Sequence, residues 1–278
     1  MLSKFALLLS LICLVFLGAA LISCGSSSSS PGGCTATMGP VYNVSGDWSL
    51  SVTGSAGNYS GNPGVISTAG LAVFFEPFGE TGVGDTAVLP TITGGSNCFS
   101  GSINSYATAF NGGGSVTDTA TGTIMSSTSI TGSFQGSTAS GTFALTAASP
   151  LTGSVTVLSG SGWLGEIEGA STPDILLITL TPSGTGAGMT LQGADGSATC
   201  TVSGTFTQEG GDASTLNVFD VSVTYTGSSC AASGTQTGLA FESSSDYFGM
   251  NGNAAGTYLY AVPSSSASVL EIFKQGAK

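Results

Sequence analysis

Short hydrophobic runs separated by turn residues recur along the chain from Val41 to its C-terminal end. Glycine, serine, asparagine and proline interrupt the β-branched and aromatic residues about every eight to twelve positions, which is the spacing of an all-β meander. No long segment has the period of an amphipathic helix. The pattern therefore predicts an all-β fold, an antiparallel meander that forms one or two up-and-down barrels or sandwiches.

Four segments are predicted as strands. Leu216–Thr226 alternates between apolar and polar residues, which predicts a half-buried antiparallel strand. Leu71–Phe75 and Ile175–Leu180 are more uniformly apolar, so we expect them to be central, and each is followed by a proline that cannot donate to a strand ladder. Val269–Phe273 is predicted to be the closing strand.

A four-residue unit of hydroxyl, glycine, hydroxyl and apolar residue recurs along the chain. Examples begin at Ser100, Thr131, Ser140, Thr152 and Ser203. We interpret the glycine as the site of a bulge or tight bend, and the apolar residue as a core position. Repetition of this kind is typical of a meander of hairpins.

A coarser duplication indicates two β units. Ser45–Trp48 precedes a strand that begins near Cys98, and Ser161–Trp163 precedes one that begins near Cys200. The predicted units are residues 41–149 and 150–278, with Pro150 near the joint.

The first 23 residues have the order of a secretory signal peptide. Lys4 supplies a positive charge, Phe5–Ile22 is an apolar run, and small and polar residues follow. The alternative is an uncleaved transmembrane helix, since a run of this length can just cross a bilayer. Residues 24–40 are rich in glycine, serine and proline and are predicted to form a flexible tether.

The segment Leu21-Ile22-Ser23-Cys24 resembles the lipobox of bacterial lipoproteins, and the Gly/Ser/Thr-rich remainder looks like uncharacterised β-rich members of that class. The resemblance implies cleavage before Cys24, a diacylglyceryl group on its thiol and a fatty acid such as palmitate on its amine. More than one acyl chain makes membrane anchoring stable. Gly25 is not the aspartate that retains Gram-negative lipoproteins at the inner membrane, so the resemblance implies the outer membrane, on its periplasmic or surface face.

Four cysteines remain once Cys13 leaves with the leader and Cys24 is acylated. They are Cys34, Cys98, Cys200 and Cys230. An even number in an exported protein predicts disulfides, with three pairings open. We favour Cys34–Cys98 and Cys200–Cys230, because each bond then stays within one β unit. A metal site is the competing interpretation, but the chain has no histidine and no CxxC motif.

The charge balance excludes several functions. The chain carries 15 acidic and three basic residues, and it has neither histidine nor arginine. Nucleic acid binding is excluded because no basic side chain lies between Cys24 and Phe273 to neutralise phosphates. Ser-His-Asp and Cys-His catalysis are excluded as well, and no cofactor is predicted.

Carboxylates are the remaining candidates for chemistry. Glu166 and Glu168 are two positions apart and would share one face of a strand, as a glycoside-hydrolysing pair could, although a solvated face is the more ordinary interpretation. The oxygen-rich segments Glu209–Asp212 and Asp246–Asn253 suit Ca²⁺, but turns contain such residues for backbone reasons too. Asp118 lacks the Asp-Thr/Ser-Gly context of an aspartic protease. No catalytic and no metal-binding residue is therefore predicted.

Gly46-Asp47-Trp48 resembles the Gly-x-Trp opening of lipocalin-like barrels, in which the tryptophan closes the base. The arginine that packs on that tryptophan in lipocalins has no counterpart, because this chain has no arginine. The resemblance implies a barrel that could hold a ligand.

Three functions are weighed for the exported chain. The favoured one is a non-catalytic, membrane-tethered module that binds an apolar small molecule, a glycan or an envelope protein. Its support includes aromatic side chains that look exposed and that could equally belong to the core. Those are Tyr247, Phe248, Tyr258 and Tyr260. The alternative is a purely structural or adhesive envelope component, and the least favoured is a carboxylate-based glycan-acting enzyme.

Overall fold

The computed structural model describes residues 40–55, 57–77, 83–92, 97–107, 114–137, 139–148, 160–167, 175–183, 188–211, 214, 216–247 and 256–274. The leader, nearly all of the tether, and the predicted sites Cys24 and Cys34 lie outside these residues, as does the tetrad at Thr152. Within the described part of the chain, no helix is long and apolar enough to cross a membrane.

The described residues form two closed antiparallel barrels of eight strands each, so the predicted all-β barrel fold is confirmed. The first barrel contains β1 (Gly46–Gly54), β2 (Gly57–Ile66), β3 (Ala72–Pro77), β4 (Val83–Leu89), β5 (Cys98–Ala107), β6 (Ser115–Ser126), β7 (Ser129–Gln135) and β8 (Ser140–Ala147). The second contains β9 (Gly160–Ile167), β10 (Ile175–Pro182), β11 (Gly188–Asp195), β12 (Thr201–Gln208), β13 (Phe219–Thr226), β14 (Gly234–Ser243), β15 (Tyr258–Pro263) and β16 (Leu270–Lys274).

Each strand pairs with the next one along the chain, and the first strand of each barrel pairs with the last. In the first barrel β1 pairs with β8 from Trp48↔Ala147 to Gly54↔Gly141. In the second barrel β9 pairs with β16, which confirms the C-terminal segment as the closing strand. Closure leaves neither sheet with an open edge. The predicted boundary at residues 149 and 150 lies outside the described residues, between β8 and β9.

Strand β13 has the predicted alternation but begins later than expected. Phe219, Val221 and Val223 are buried inside the barrel, and Asp220 is exposed on the outer face. The strand starts at Phe219 rather than Leu216 because the Asn217 side chain takes the place of a main-chain pair. Its Oδ1 accepts a hydrogen bond from Glu242 N at 2.7 Å, and its Nδ2 donates to Glu242 O at 2.7 Å.

The prediction that Ile175–Leu180 is a central strand is wrong. Ile175 and Leu177 are 59% and 65% exposed, because the outer face of β10 meets solvent. The same prediction is correct for Leu71–Phe75, where Val73 and Phe75 point out of the first barrel and are completely covered. An apolar run therefore marks a strand but does not say what covers its second face.

The four described tetrad glycines lie at regularly paired positions, so the prediction of bulges there is wrong, and two of these glycines provide space for a ring of the neighbouring strand. Gly132 lies directly across from Phe143, and Gly141 directly across from Phe134. The same relation holds between Gly122 and Phe99 and between Gly64 and Phe74. The register shifts lie elsewhere, at Leu50/Val52, Phe75/Pro77, Ile124/Ser126 and Ile178/Thr179. Each aromatic ring thus occupies the volume that a missing Cβ leaves free.

A third apolar core joins the two barrels. The outer face of β3 contributes Val73 and Phe75, which pack against outward-facing residues of β14 and β15. The Phe75 ring centroid lies 6.1 Å from that of Phe241 and 5.5 Å from that of Tyr260. Because these side chains are buried as fully as a barrel interior, the two barrels form one compact body.

The predicted disulfide Cys200–Cys230 is present and joins the residue before β12 to the β13–β14 connection. Its two Cα atoms are 4.8 Å apart. Cys98 is also disulfide-bonded. Cys34, its predicted partner, lies outside the described residues.

Candidate functional site

One end of the first barrel is sealed. Trp48 is 2% exposed, and its indole Nε1 donates a hydrogen bond to Val44 O at 2.8 Å. Val44 precedes β1 and Ile92 follows β4, and both pack in the same core as Trp48. The chain segments flanking the strands therefore plug the barrel at the end where β1 begins.

The opposite end of the first barrel contains two adjoining cavities. The apolar lobe, of about 100 Å³, is lined by Leu50, Val52, Ala87, Leu89, Ile103, Ser105, Asp118, Phe134 and Phe143. The acidic lobe, of about 150 Å³, is lined by Leu50, Val52, Tyr59, Asn62, Phe74, Phe75, Glu76, Asp85, Thr86, Ala87 and Ser105. They share Leu50, Val52, Ala87 and Ser105, so together they form one mouth cavity.

Strand alternation brings three carboxyl groups to this mouth. Asp118 is on the same face of β6 as Ala120 and Ile124, which are both core residues. Its side chain therefore points inward. Glu76 is near the end of β3, and Asp85 is near the start of β4. The three positions lie at one rim because β3 ends there and β4 and β6 begin there, with Glu76 and Asp85 close enough to interact and Asp118 in the adjoining lobe.

The charged side chains described at the mouth are all acidic. Burial, followed by the charge of Asp85, raises the pKa of Glu76 to about 7. Asp118 Oδ1 is buried and has no hydrogen-bond partner. Lys274 is the one basic residue in the described part of the chain, and it lies on β16 of the second barrel. No described cation therefore offsets the carboxyl groups of the mouth.

The interior of the second barrel is filled by large side chains. Trp163, Phe206 and Phe219 are each at most 1% exposed. A void of about 10 Å³ beside Val221 and Tyr225 has room for about one water molecule. The two barrels thus share a topology and differ in whether their interior has space for a ligand.

Lys274 lies over Trp163, with its Nζ 5.8 Å from the ring centroid. The two residues are cross-strand partners in the β16–β9 pair. This cation–π contact belongs to the tryptophan of the second barrel and not to Trp48, whose Gly-x-Trp segment resembles the lipocalin opening.

A larger cleft of about 710 Å³ lies between the barrels and is lined mainly by polar residues. Its polar groups already bond to one another. Asn217 Nδ2 donates to both carboxylate oxygens of Asp47, at 3.1 and 2.9 Å, and Asn43 Oδ1 accepts from the Ser45 hydroxyl at 2.7 Å. The Asn217–Asp47 bonds link the two barrels beside this inter-barrel cleft, so these polar groups are already engaged in the structure.

Of the carboxylate pair considered for glycan chemistry, the structure describes Glu166. Glu166 is the direct cross-strand partner of Glu271, and the two side chains are 1% and 0% exposed. Glu168 lies outside the described residues. Tyr260 Oη lies 3.0 Å from Glu271 Oε1. Burial and then the neighbouring charge of Glu271 raise the pKa of Tyr260. Carboxyl groups this deeply covered have no access to a polysaccharide in this conformation.

Of the two interpretations of the C-terminal aromatics, exposed or core, the core one is correct for Tyr258 and Tyr260. Tyr258 and Tyr260 are completely buried in the core between the barrels, and Tyr247 is half-buried, with its backbone N donating to Tyr260 Oη at 2.9 Å. Phe248 lies outside the described residues. The aromatic side chains of this region therefore join the barrels.

The oxygen-rich segment at Glu209 has a structural partner. Glu209 is 8% exposed, and its Oε2 accepts a hydrogen bond from Thr68 N of the first barrel at 2.6 Å. Burial raises the pKa of Glu209, and this backbone bond opposes that effect. Asp212, Asn251 and Asn253 lie outside the described residues. Among the residues that the structure describes, no group of three or more His, Cys, Asp or Glu is placed to hold a metal.

The chain matches no protein-family model, no curated protein and no solved structure. Its function must therefore be argued from the geometry of the mouth, the cleft and the buried carboxyl groups. The sequence analysis missed Glu76 and Asp85, and it considered Asp118 only as a protease residue. The alternation of β6 predicts that Asp118 points inward. That Glu76, Asp85 and Asp118 lie at one rim follows only from how the strands are ordered in the barrel.

Proposed function

We propose that the protein is a lipid-anchored cell-envelope module that binds a small molecule in the mouth of its first barrel without catalysing a reaction. One observation carries the proposal: the first barrel is sealed at Trp48 and hollow at the other end, while the second barrel is filled. Eight-stranded barrels have an interior that side chains either fill or leave free for one small ligand. The mouth cavity also combines an apolar lining with a few polar groups, as ligand sites do.

The anchor part of the proposal rests on the lipobox resemblance at Cys24 and on the leader before it. A thioether-linked diacylglyceryl group at Cys24 would hold the barrels outside the cytoplasm, with the outer membrane as the expected site. The test is a Cys24→Ser variant, which should remain an unprocessed precursor without acyl groups in mass spectrometry. Normal processing and membrane retention of that variant would contradict the anchor.

Ligand binding is tested by ligand-observed NMR of small apolar molecules against the purified chain. Ala87 lines both lobes, so Ala87→Met should fill the cavity and abolish binding. The matched control is Ala148→Met, which adds the same side chain to the inter-barrel cleft. Loss of binding in the control alone would move the site to the cleft.

The alternative function is a structural or adhesive envelope component, and the outer faces of the barrels favour it. They carry cross-strand hydroxyl pairs such as Thr121 with Ser133 at 3.3 Å and Thr224 with Thr235 at 2.8 Å. These exposed pairs keep a weakly charged surface hydrated. A screen in which no molecule binds, followed by binding of the chain to isolated envelope polymers, would favour this alternative.

A further inference from the structure

We infer that the mouth of the first barrel selects small organic ammonium ions, which are molecules with an apolar part the size of one ring and a single protonated amine. The inference rests on the proposed function and names the ligand class for the same cavity. It is carried by the shape of the two lobes, the uncompensated carboxyl groups and the aromatic lining.

The volumes limit the ligand to a small one. The lobes measure about 100 and 150 Å³, and a cavity of about 150 Å³ is known to accommodate a benzene ring. The mouth cavity as a whole can therefore take one ring with a small polar substituent, although the apolar lobe alone is smaller than a cavity known to hold a ring. Ile103, Phe134 and Phe143 give the apolar lobe its contact surface.

The charges favour a cation. Asp118 lines the apolar lobe, and Glu76 and Asp85 line the acidic lobe, while the described part of the chain places no basic residue nearby. An anionic ligand would add further negative charge to a partly desolvated site lined by three carboxyl groups. Asp118 Oδ1 is buried against Gly136 with no hydrogen-bond partner, so the Asp118 carboxyl group acts on a ligand in the lobe through its charge and not through that oxygen.

The aromatic lining favours the same charge. The rings of Tyr59 and Phe134 border the acidic and apolar lobes, and the face of an aromatic ring attracts an ammonium ion more than a neutral or negative group. Burial is the larger cause of the raised pKa of Glu76, and the second cause, the charge of Asp85, agrees with a mouth that favours a cation. A bound cation would lower that pKa.

Three probes of nearly equal size test the inference on the purified chain: benzylamine, benzyl alcohol and benzoate. By calorimetric or NMR titration at low ionic strength, benzylamine should bind about tenfold more tightly than benzyl alcohol, and benzoate should bind most weakly. The preference for benzylamine should shrink at high salt. Ala87→Met should abolish the binding of every probe that enters the mouth.

Charge-neutralising variants identify the groups responsible. Asp118→Asn and Glu76→Gln should each reduce benzylamine affinity about three- to tenfold and leave benzyl alcohol affinity unchanged. The matched control is Asp220→Asn, which removes an exposed carboxylate on the outer face of the second barrel and should change neither affinity. Circular dichroism and thermal unfolding confirm that each variant is folded.

The outcomes separate the inference from the proposed function. Equal binding of benzylamine and benzyl alcohol, with both lost in Ala87→Met, overturns the charge selection and leaves a neutral binding cavity. Tighter binding of benzoate overturns it as well. Failure of all three probes to bind overturns this inference, and failure of a wider apolar screen would then remove the proposed function too.

Discussion

Replacing Gly132 by alanine tests how the interior of the first barrel is packed. A Cβ at this position would lie 2.6 Å from both Phe143 Cε1 and Thr121 O, and it would be closer still to Phe143 Cζ. Glycine-to-alanine changes normally stabilise a strand by about 0.4–1 kcal/mol, because they restrict the unfolded chain. Here the extra methyl group overlaps a ring and a main-chain oxygen, so the sign should reverse.

The expected cost follows from these two opposing effects. Overpacking a closed interior costs about 1–3 kcal/mol, and the entropic gain offsets part of that. We therefore expect Gly132→Ala to lower the free energy of unfolding by about 1–2 kcal/mol. For a chain of this size, the melting temperature should fall by about 2–8 °C.

The assay is urea unfolding followed by tryptophan fluorescence, since Trp48 and Trp163 report on the first and second barrel respectively. Gly196→Ala is the matched control. A Cβ there has no atom within 4 Å and Gly196 has no left-handed φ, so this change should be neutral or slightly stabilising.

A double variant identifies the contact responsible. In Gly132→Ala/Phe143→Leu the ring is gone, so the alanine should cost less than it does beside Phe143, with a coupling energy of about 0.5–2 kcal/mol. The reasoning is refuted if Gly132→Ala is as stable as the parent chain. It is also refuted if the two substitutions simply add, because the Phe143 ring would then not be what excludes the methyl group.

Three further predictions concern the disulfide, the mouth and the barrel interface. Cys200→Ser opens a bond that spans 30 positions, so urea unfolding should show a loss of about 3–4 kcal/mol. Because the pKa of Glu76 is raised from 4.5 to about 7, stability should fall as the pH rises through that range, and Glu76→Gln should remove this part of the pH dependence in thermal melts; an unchanged slope would contradict the assignment. Phe75→Ala should cost about 3–5 kcal/mol and separate the unfolding midpoints of the two tryptophans, whereas coincident midpoints would show that the barrels remain coupled without it.

The sequence predicts the class and connectivity of the fold because both depend on local signals. Alternation in β13 sets which side chains enter a barrel, and regular turn spacing favours strands that pair in chain order. The Cys200–Cys230 bond is predictable for the same reason, since its two ends flank neighbouring strands of one barrel.

The covering of outer faces could not be predicted from the same signals. β15 is buried on both sides because another barrel packs on it, whereas β10 has equally apolar residues that face solvent. Hydropathy reports the cost of exposing a side chain and not which partner covers it. Bulges were predicted at the tetrad glycines for a related reason. The rings that cover Gly132 and Gly141 belong to the neighbouring strand, which the local sequence does not show.

The mouth cavity exists because the inward-facing positions near the rim carry small or polar side chains. Near the rim of the first barrel these positions hold Ala87, Ser105 and Asp118, whereas the second barrel places Trp163 and Phe206 inside. A carboxyl group that faces the interior loses hydration if the barrel is packed shut, so the rim must stay open to water or to a ligand. Closing it with larger apolar side chains would favour stability, and leaving it open keeps the carboxyl groups available for a ligand. The open rim of the first barrel is the physical basis of the proposed binding role, and filling it in Ala87→Met tests that role.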